Sequence, residues 1–264
     1  MEDKIITVEE LRQRLSANEP IFILDVRPIE QRNEWRIAGS AHVNAYAQLN
    51  EGDDSALDMV EIPKQATVVT VCAAGRTSLL ASRLLRRKGI EAFSLEGGMK
   101  AWNYSWNTAE VSLGTTKIIQ VRRPAKGVLS YVAGSLAEAV VIDAALDPEV
   151  YVRIAEDNGW TIRYVMDSHV HADFVSRTRE LARVTGARHL MIDEAKVDFE
   201  FAPVTAGGSI HFGDTQLTFL HTPGHTWEST TFQIEDKAVF TGDTLFTDGV
   251  GRPDLKAELP EVHQ

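Results

Sequence analysis

After the apolar pair Ile5-Ile6 the chain reads Thr7-Val8-Glu9-Glu10. A threonine followed three residues later by glutamate is the spacing of a capping box, and it predicts a helix through about Leu15. Residues 21–26, Ile-Phe-Ile-Leu-Asp-Val, form a nearly unbroken apolar run, as in a strand buried on both faces. Thr67-Val68-Val69-Thr70-Val71 is a second such run. It passes through Cys72 into a helical pattern from Ser78 to Arg87, closed by Lys88-Gly89. Residues 91–95 read as a third strand, followed by Gly97-Gly98. Strands alternating with helices over a span of roughly 100 residues predict a small α/β domain built on a parallel sheet.

The texture then changes. Residues 103–110 have no clear period and read as a linker. Short strands are expected at 116–121, 128–133 and 139–143. Asp147-Pro148 opens a helix with proline at its first position. A strand at 161–166 leads into a histidine-rich segment, then a helix over 174–184 ended by Gly186. Further strands are expected at 216–220, 230–234 and 238–241. No internal repeat or low-complexity stretch interrupts this order. Two domains are expected, 1–107 and 111–264.

Composition narrows the function classes. The chain has 264 residues, enough for two ordinary domains. Its formal net charge of −11 argues against nucleic acid or an anionic membrane surface as a partner. Cys72 is the one cysteine, so no intrachain disulfide forms. The N-terminus, Met1-Glu2-Asp3-Lys4, has no basic region followed by an apolar run, and no apolar segment is long enough to span a bilayer. A cytoplasmic protein is expected.

Cys72-Ala73-Ala74-Gly75-Arg76-Thr77-Ser78 joins a strand to a helix. Such a turn aims backbone N–H groups and the positive helix end at its contents, which favours a thiolate. Arg76 adds a fixed positive charge. Free cysteine is otherwise commonly a small buried hydrophobe. The surroundings favour chemistry. Leu24-Asp25-Val26-Arg27, Glu34-Trp35-Arg36-Ile37-Ala38-Gly39-Ser40-Ala41, Val43-Asn44, the Cys72 loop and Leu95-Glu96-Gly97-Gly98-Met99-Lys100-Ala101-Trp102 together resemble the rhodanese (sulfurtransferase) family over about residues 5–105. The loop is shorter than in phosphatase-type relatives. Arg36-Ile37-Ala38-Gly39 departs from the family's His-Ile-Pro-Gly run, which bears on loop stiffness rather than chemistry. The resemblance implies that Cys72, assisted by Arg76, carries sulfane sulfur as a persulfide.

His169-Val170-His171-Ala172-Asp173-Phe174 alternates ligand-type side chains after a strand. Imidazole and carboxylate suit borderline divalent metals. His221-Thr222-Pro223-Gly224-His225-Thr226 and Thr241-Gly242-Asp243-Thr244-Leu245-Phe246 also place such groups past strand ends, where metal ligands are commonly held. One histidine alone is more often structural; three segments together point to a metal. With Gly249-Val250-Gly251-Arg252-Pro253-Asp254-Leu255, they resemble the metallo-β-lactamase superfold over about 115–255, and within it the persulfide dioxygenases fused to rhodanese domains. The expected fold is therefore α/β, a rhodanese domain followed by an αββα metallo-β-lactamase sandwich.

The resemblance implies that His169, His225 and Asp243 bind one Fe(II), with zinc as the alternative. It places His171 and Asp173 around that centre and makes Arg252 a candidate for substrate contact. Two imidazoles and one carboxylate with open positions are the ligand set of non-heme Fe(II) oxygenases. Hydrolytic relatives of the glyoxalase II type carry a metal-binding histidine where this chain has Phe174, so a mononuclear centre is expected. His189, His211 and His263 read as surface or structural, and His221 is left open.

The resulting expectation is a sulfur-metabolism enzyme. Cys72 would exchange sulfane sulfur between thiosulfate and a thiol such as glutathione. The second domain would oxidise a low-molecular-weight persulfide with O2 to sulfite. The alternatives are a metal-dependent thioester hydrolase of the glyoxalase II type, or a second domain that is inactive beside a working sulfurtransferase. A homo-oligomer is left open. The chain also reads as lacking the C-terminal part of its superfold.

Overall fold

The computed structural model describes residues 3–64 and 66–253. They fall into two compact units, Met1–Asn107 with Arg123–Gly127, and Thr108–Arg122 with Val128–Gln264.

The first unit runs β1 (Ile5–Ile6), α1 (Val8–Ser16), β2 (Ile21–Asp25), α2 (Ile29–Glu34), β3 (Ala41–His42), α3 (Tyr46–Glu51), β4 (Thr67–Val71), α4 (Arg76–Arg87), β5 (Ala92–Leu95) and α5 (Gly98–Trp102). The Thr7 hydroxyl caps α1 by accepting from Glu10 N at 3.1 Å. The five strands pair in parallel in the order β1-β5-β4-β2-β3. Neighbouring residues of one strand feed opposite cores. Ile23 and Val69 join Ile6, Leu11 and Met99 on one side. Leu24 and Val68 join Leu49, Ala81 and Leu85 on the other. Burial on both faces is why these strands read as unbroken apolar runs.

The second unit contains β6 (Asn107–Leu113), β7 (Thr116–Arg123), β8 (Val128–Ser135), β9 (Glu138–Ile142), α6 (Pro148–Asp157), β10 (Thr161–Met166), α7 (Thr178–Thr185), β11 (Arg188–Ile192), β12 (Ala202–Val204), β13 (Ser209–Phe212), β14 (Thr215–His221), β15 (Thr230–Ile234), β16 (Ala238–Phe240), β17 (Leu245–Phe246) and β18 (Gly249–Val250). A seven-stranded sheet has the order β12-β11-β10-β9-β8-β7-β6, and a four-stranded sheet the order β13-β14-β15-β16. From β9 to β12 the pairing is parallel, with α6 crossing from β9 to β10 and α7 from β10 to β11. The two sheets share one core. Ile118, Ala133, Val140, Ile142 and Met166 of the first meet Phe212, Leu217, Phe219, Phe232, Ile234 and Phe240 of the second. Phe219 and Phe232 pack edge to face with centroids 5.4 Å apart.

Two sequence expectations are corrected. Residues 103–110 are not a linker throughout, because β6 begins at Asn107 and forms an edge of the large sheet. None of its residues is fully buried, so an edge strand left no apolar period to read. The helix expected over 174–184 begins only at Thr178. Ser176 Oγ and Thr178 Oγ1 both donate to Asp167 at 2.7 Å, which holds the preceding segment in a loop. Its end is as expected, with Gly186 in the left-handed region.

Candidate functional site

In the first unit the Cys72 loop sits between β4 and the N-terminus of α4. Gly75 N donates to Cys72 Sγ at 3.2 Å, and Ser78 Oγ donates to it at 3.4 Å. Ser78 Oγ is also 2.9 Å from Ser94 Oγ. The loop is closed from the other side by α5, whose Met99 N donates to Cys72 O at 2.8 Å and Lys100 N to Ala73 O at 3.0 Å. Gly98 makes this approach feasible. It has φ +56°, and a Cβ there would lie 2.3 Å from Cys72 O. The cysteine is buried, whereas Arg76, at the first turn of α4, is exposed. This is an N–H-lined cradle for a sulfur anion, with the exposed Arg76 starting the adjoining helix.

In the second unit three loops meet. His169 follows β10, His225 follows β14, and Asp243 follows β16. One ligand-type atom from each lies within 4.8 Å of the other two. His169 is 2% exposed, and among the described residues its Nε2 has no hydrogen-bond partner. Its Nδ1 is engaged by Ser168 Oγ at 2.9 Å. His225 Nδ1 is 3.0 Å from the Arg252 carbonyl oxygen, which can only accept, so that nitrogen carries the proton. Nε2 of His225 is then a free lone pair, 3.7 Å from Asp243 Oδ2. That is close to the ~3–3.5 Å separating ligands that share one divalent ion. A buried imidazole nitrogen with no partner costs free energy unless something fills the space it faces. Burial, then the neighbouring His171 charge, lowers the His169 pKa and keeps it neutral, as a ligand must be. These residues fit a metal ion.

Glycines let the loops meet. Gly242 has φ +50°, and a Cβ there would lie 2.4 Å from Ser168 Oγ. A Cβ on Gly251 would lie 1.7 Å from Asp243 O. Glu228, buried, accepts from Val170 N at 3.0 Å, and Thr230 N donates to Ser168 O at 2.8 Å.

His171 points elsewhere. Its Nε2 donates to Asp143 Oδ1 at 3.0 Å and is 3.9 Å from Asp167 Oδ1. Asp143, Asp167 and His171 form a second convergent group. Burial would lower the His171 pKa, but the charge and hydrogen bond of Asp143, with Asp167 and Asp173, outweigh it and raise it to about 8. Burial would raise that of Asp143, and His171 with Ser168 N overcomes it, so the carboxyl is held below its usual range. Asp143 also accepts from Ser168 N at 2.6 Å and adopts φ +55°. A strained, buried aspartate thus ties the end of β9 to the loop that carries His169. Sequence reading did not single out Asp143 or Asp167. Both stand just past a strand, and that position was the available signal.

The other candidates fall as follows. Asp173 is exposed and belongs to neither group, reaching His171 only through charge. Phe174 packs against the His171 ring, centroids 4.2 Å apart and planes tilted by 32°. Arg252 contacts His225 through its backbone carbonyl. His221 donates from Nε2 to Trp227 O at 2.6 Å and lies outside both groups. His189 is buried, 3.4 Å from Asp167, and stacks on Phe199. His211 is exposed. Asp254, Leu255 and His263 lie outside the described residues.

The sequence model for the metallo-beta-lactamase superfamily matches residues 123–264, more than half of the chain. The chain belongs to the metallo-beta-lactamase superfamily. The model for the rhodanese-like domain matches residues 7–105. The first unit is accordingly a rhodanese domain on a parallel sheet, and the second has the metallo-beta-lactamase fold. Among curated relatives is a hydroxyacylglutathione hydrolase from Bradyrhizobium sp. (strain ORS 278), 37% identical over 107 residues, 38% of this chain and 41% of the relative. The chain spans about half, or less, of the length of such relatives. A crystal structure of a metallo-beta-lactamase from Staphylococcus aureus subsp. aureus COL is 30% identical, with a TM-score of 0.52, covering 55% of this chain and 48% of that one. ETHE1 from Myxococcus xanthus is 27% identical with a TM-score of 0.45, over 57% of this chain and 62% of that one. Among the described residues no helix is long and apolar enough to cross a membrane.

Proposed function

We propose that this chain, with domains at 1–107 and 111–264, handles sulfane sulfur. It takes sulfur onto Cys72 and oxidises a low-molecular-weight persulfide, such as glutathione persulfide, to sulfite. The observation that carries the reading is the buried, unpartnered Nε2 of His169 converging with His225 and Asp243, while Asp143 holds His171 aside. One imidazole–imidazole–carboxylate set supports one Fe(II). Bound there, Fe(II) would leave positions for O2 and for sulfur. The overall change balances as persulfide, O2 and water giving thiol, sulfite and two protons.

The residues have separate tasks. Cys72 thiolate attacks the outer sulfur of thiosulfate; the S–S bond breaks, sulfite leaves with the electron pair, and a Cys72 persulfide forms. Gly75 N–H and the Ser78 hydroxyl stabilise the sulfur anion, and Arg76 attracts the departing oxyanion. Arg252 O keeps the proton of His225 on Nδ1, and Asp143 fixes the loop that carries His169. A reduced cysteine suits a cytoplasmic setting.

The relatives named hydroxyacylglutathione hydrolase favour a second reading, thioester hydrolysis by a metal-activated water. The purified protein, loaded anaerobically with iron, separates the two. Oxygen uptake and sulfite release with glutathione persulfide support the oxidation. Bound zinc, with turnover of a hydroxyacylglutathione thioester and no sulfite, overturns it in favour of hydrolysis. Failure to bind any metal leaves only Cys72 sulfur transfer.

A further inference from the structure

A cavity of about 300 Å³ opens beside His169 in the second unit. His169 and His171 line it, with Asp167 in the wall. Phe174, Val175, Met191 and Phe199 make much of the rest apolar. Arg179 is its one lining arginine among the described residues, and its guanidinium lies 4.5 Å from the centre of the Phe199 ring. Nearby Arg177 is neutralised by Glu180 and Asp147, whereas no carboxylate among the described residues pairs with Arg179. Asp167, for its part, is committed to Ser176 and Thr178.

We propose that this cavity receives the thiol carrier of the substrate, and that Arg179 binds a carboxylate of that carrier. The proposal rests on the reading above that the site works on a thiol-derived substrate, and it holds for persulfide or thioester alike. The apolar walls take the stem of the carrier. Stacking on Phe199 pre-orients the planar guanidinium, whose paired N–H groups match a carboxylate. The volume is at the small end of ligand sites, which run to about 300–1,000 Å³. It admits a peptide-sized thiol and is too small to enclose a coenzyme A.

Calorimetric binding of S-methylglutathione and of its diethyl ester to the full chain tests this without turnover. The wild type is expected to bind the acid more tightly than the ester. Arg179→Gln is expected to weaken the acid about tenfold or more and to leave the ester unchanged, as loss of a charge-assisted hydrogen bond requires. Val175→Trp, at a wall position that is 81% exposed and tolerant of substitution, is expected to block both ligands. Thermal melting of each variant at the wild-type temperature confirms its fold. Equal binding of the acid by Arg179→Gln and the wild type overturns the proposal, as does wild-type protein that binds neither ligand. An absence of oxygen uptake would overturn the oxidation reading and leave this binding contrast intact.

Discussion

The donors that face the Cys72 sulfur, Gly75 N–H and the Ser78 hydroxyl, lie within six residues of it in the chain. The three groups that converge in the second unit come from positions 169, 225 and 243, on loops after strands of two different sheets. The cradle needs one strand-to-helix turn and a glycine opposite it. The His169, His225 and Asp243 group needs the whole sandwich, because its loops are held by Thr230, Glu228 and Asp143 and pass close at Gly242 and Gly251. A local site is insensitive to distant packing; a distributed one inherits every error in the packing that brings its parts together.

The comparison breaks most sharply by crossed substitutions. Cys72→Ala should abolish the mass gain of one sulfur atom on treatment with thiosulfate, with the bound metal unchanged. His169→Ala or His225→Ala should do the reverse, lowering metal affinity by at least ~100-fold while Cys72 still loads. Intact mass spectrometry and elemental analysis read the two out. Loss of both activities from one substitution would show that the sites are not independent.

Glycine substitutions come next. Gly242→Ala forces a Cβ against Ser168 in a left-handed backbone, and should destabilise the second unit by about 1–3 kcal/mol or more and weaken metal binding. Gly98→Ala should instead damage sulfur loading, because its Cβ meets Cys72 O. Thermal melts with metal and sulfur assays decide whether each effect stays in its own unit.

Asp143→Asn should weaken metal affinity by roughly tenfold, by loosening the loop rather than removing a ligand. The smallest effect is on pH. In the metal-free protein His171 is raised from 6.5 to about 8, so its ion pair with Asp143 stabilises fully below about 6.5 and is lost as pH rises through about 8. NMR titration of the imidazole should follow that window, and Asp143→Asn should move it downward.

Much of the fold was readable. The apolar runs at 21–26 and 67–71 are central strands, and Asp147-Pro148 begins a helix, with Asp147 accepting from Glu149 N at 3.1 Å. What escaped has a physical cause. Edge strand β6 hides no residue, so it carried no apolar period. The stretch after Phe174 has helix-like composition, but Ser176 and Thr178 spend their hydroxyls on Asp167. Asp143 stood at a strand end without a motif, and its importance lies in partners 25 and 28 residues away.

Sequence alone determined the order of elements, the cysteine turn and the ligand-type residues past strand ends, because local periodicity and residue chemistry are written along the chain. Tertiary structure decided which of them converge. His169 and His171 alternate in one loop and are chemically identical, yet a buried aspartate on a neighbouring strand end draws His171 away. His169 is left facing His225 and Asp243, with a buried nitrogen that no group among the described residues satisfies.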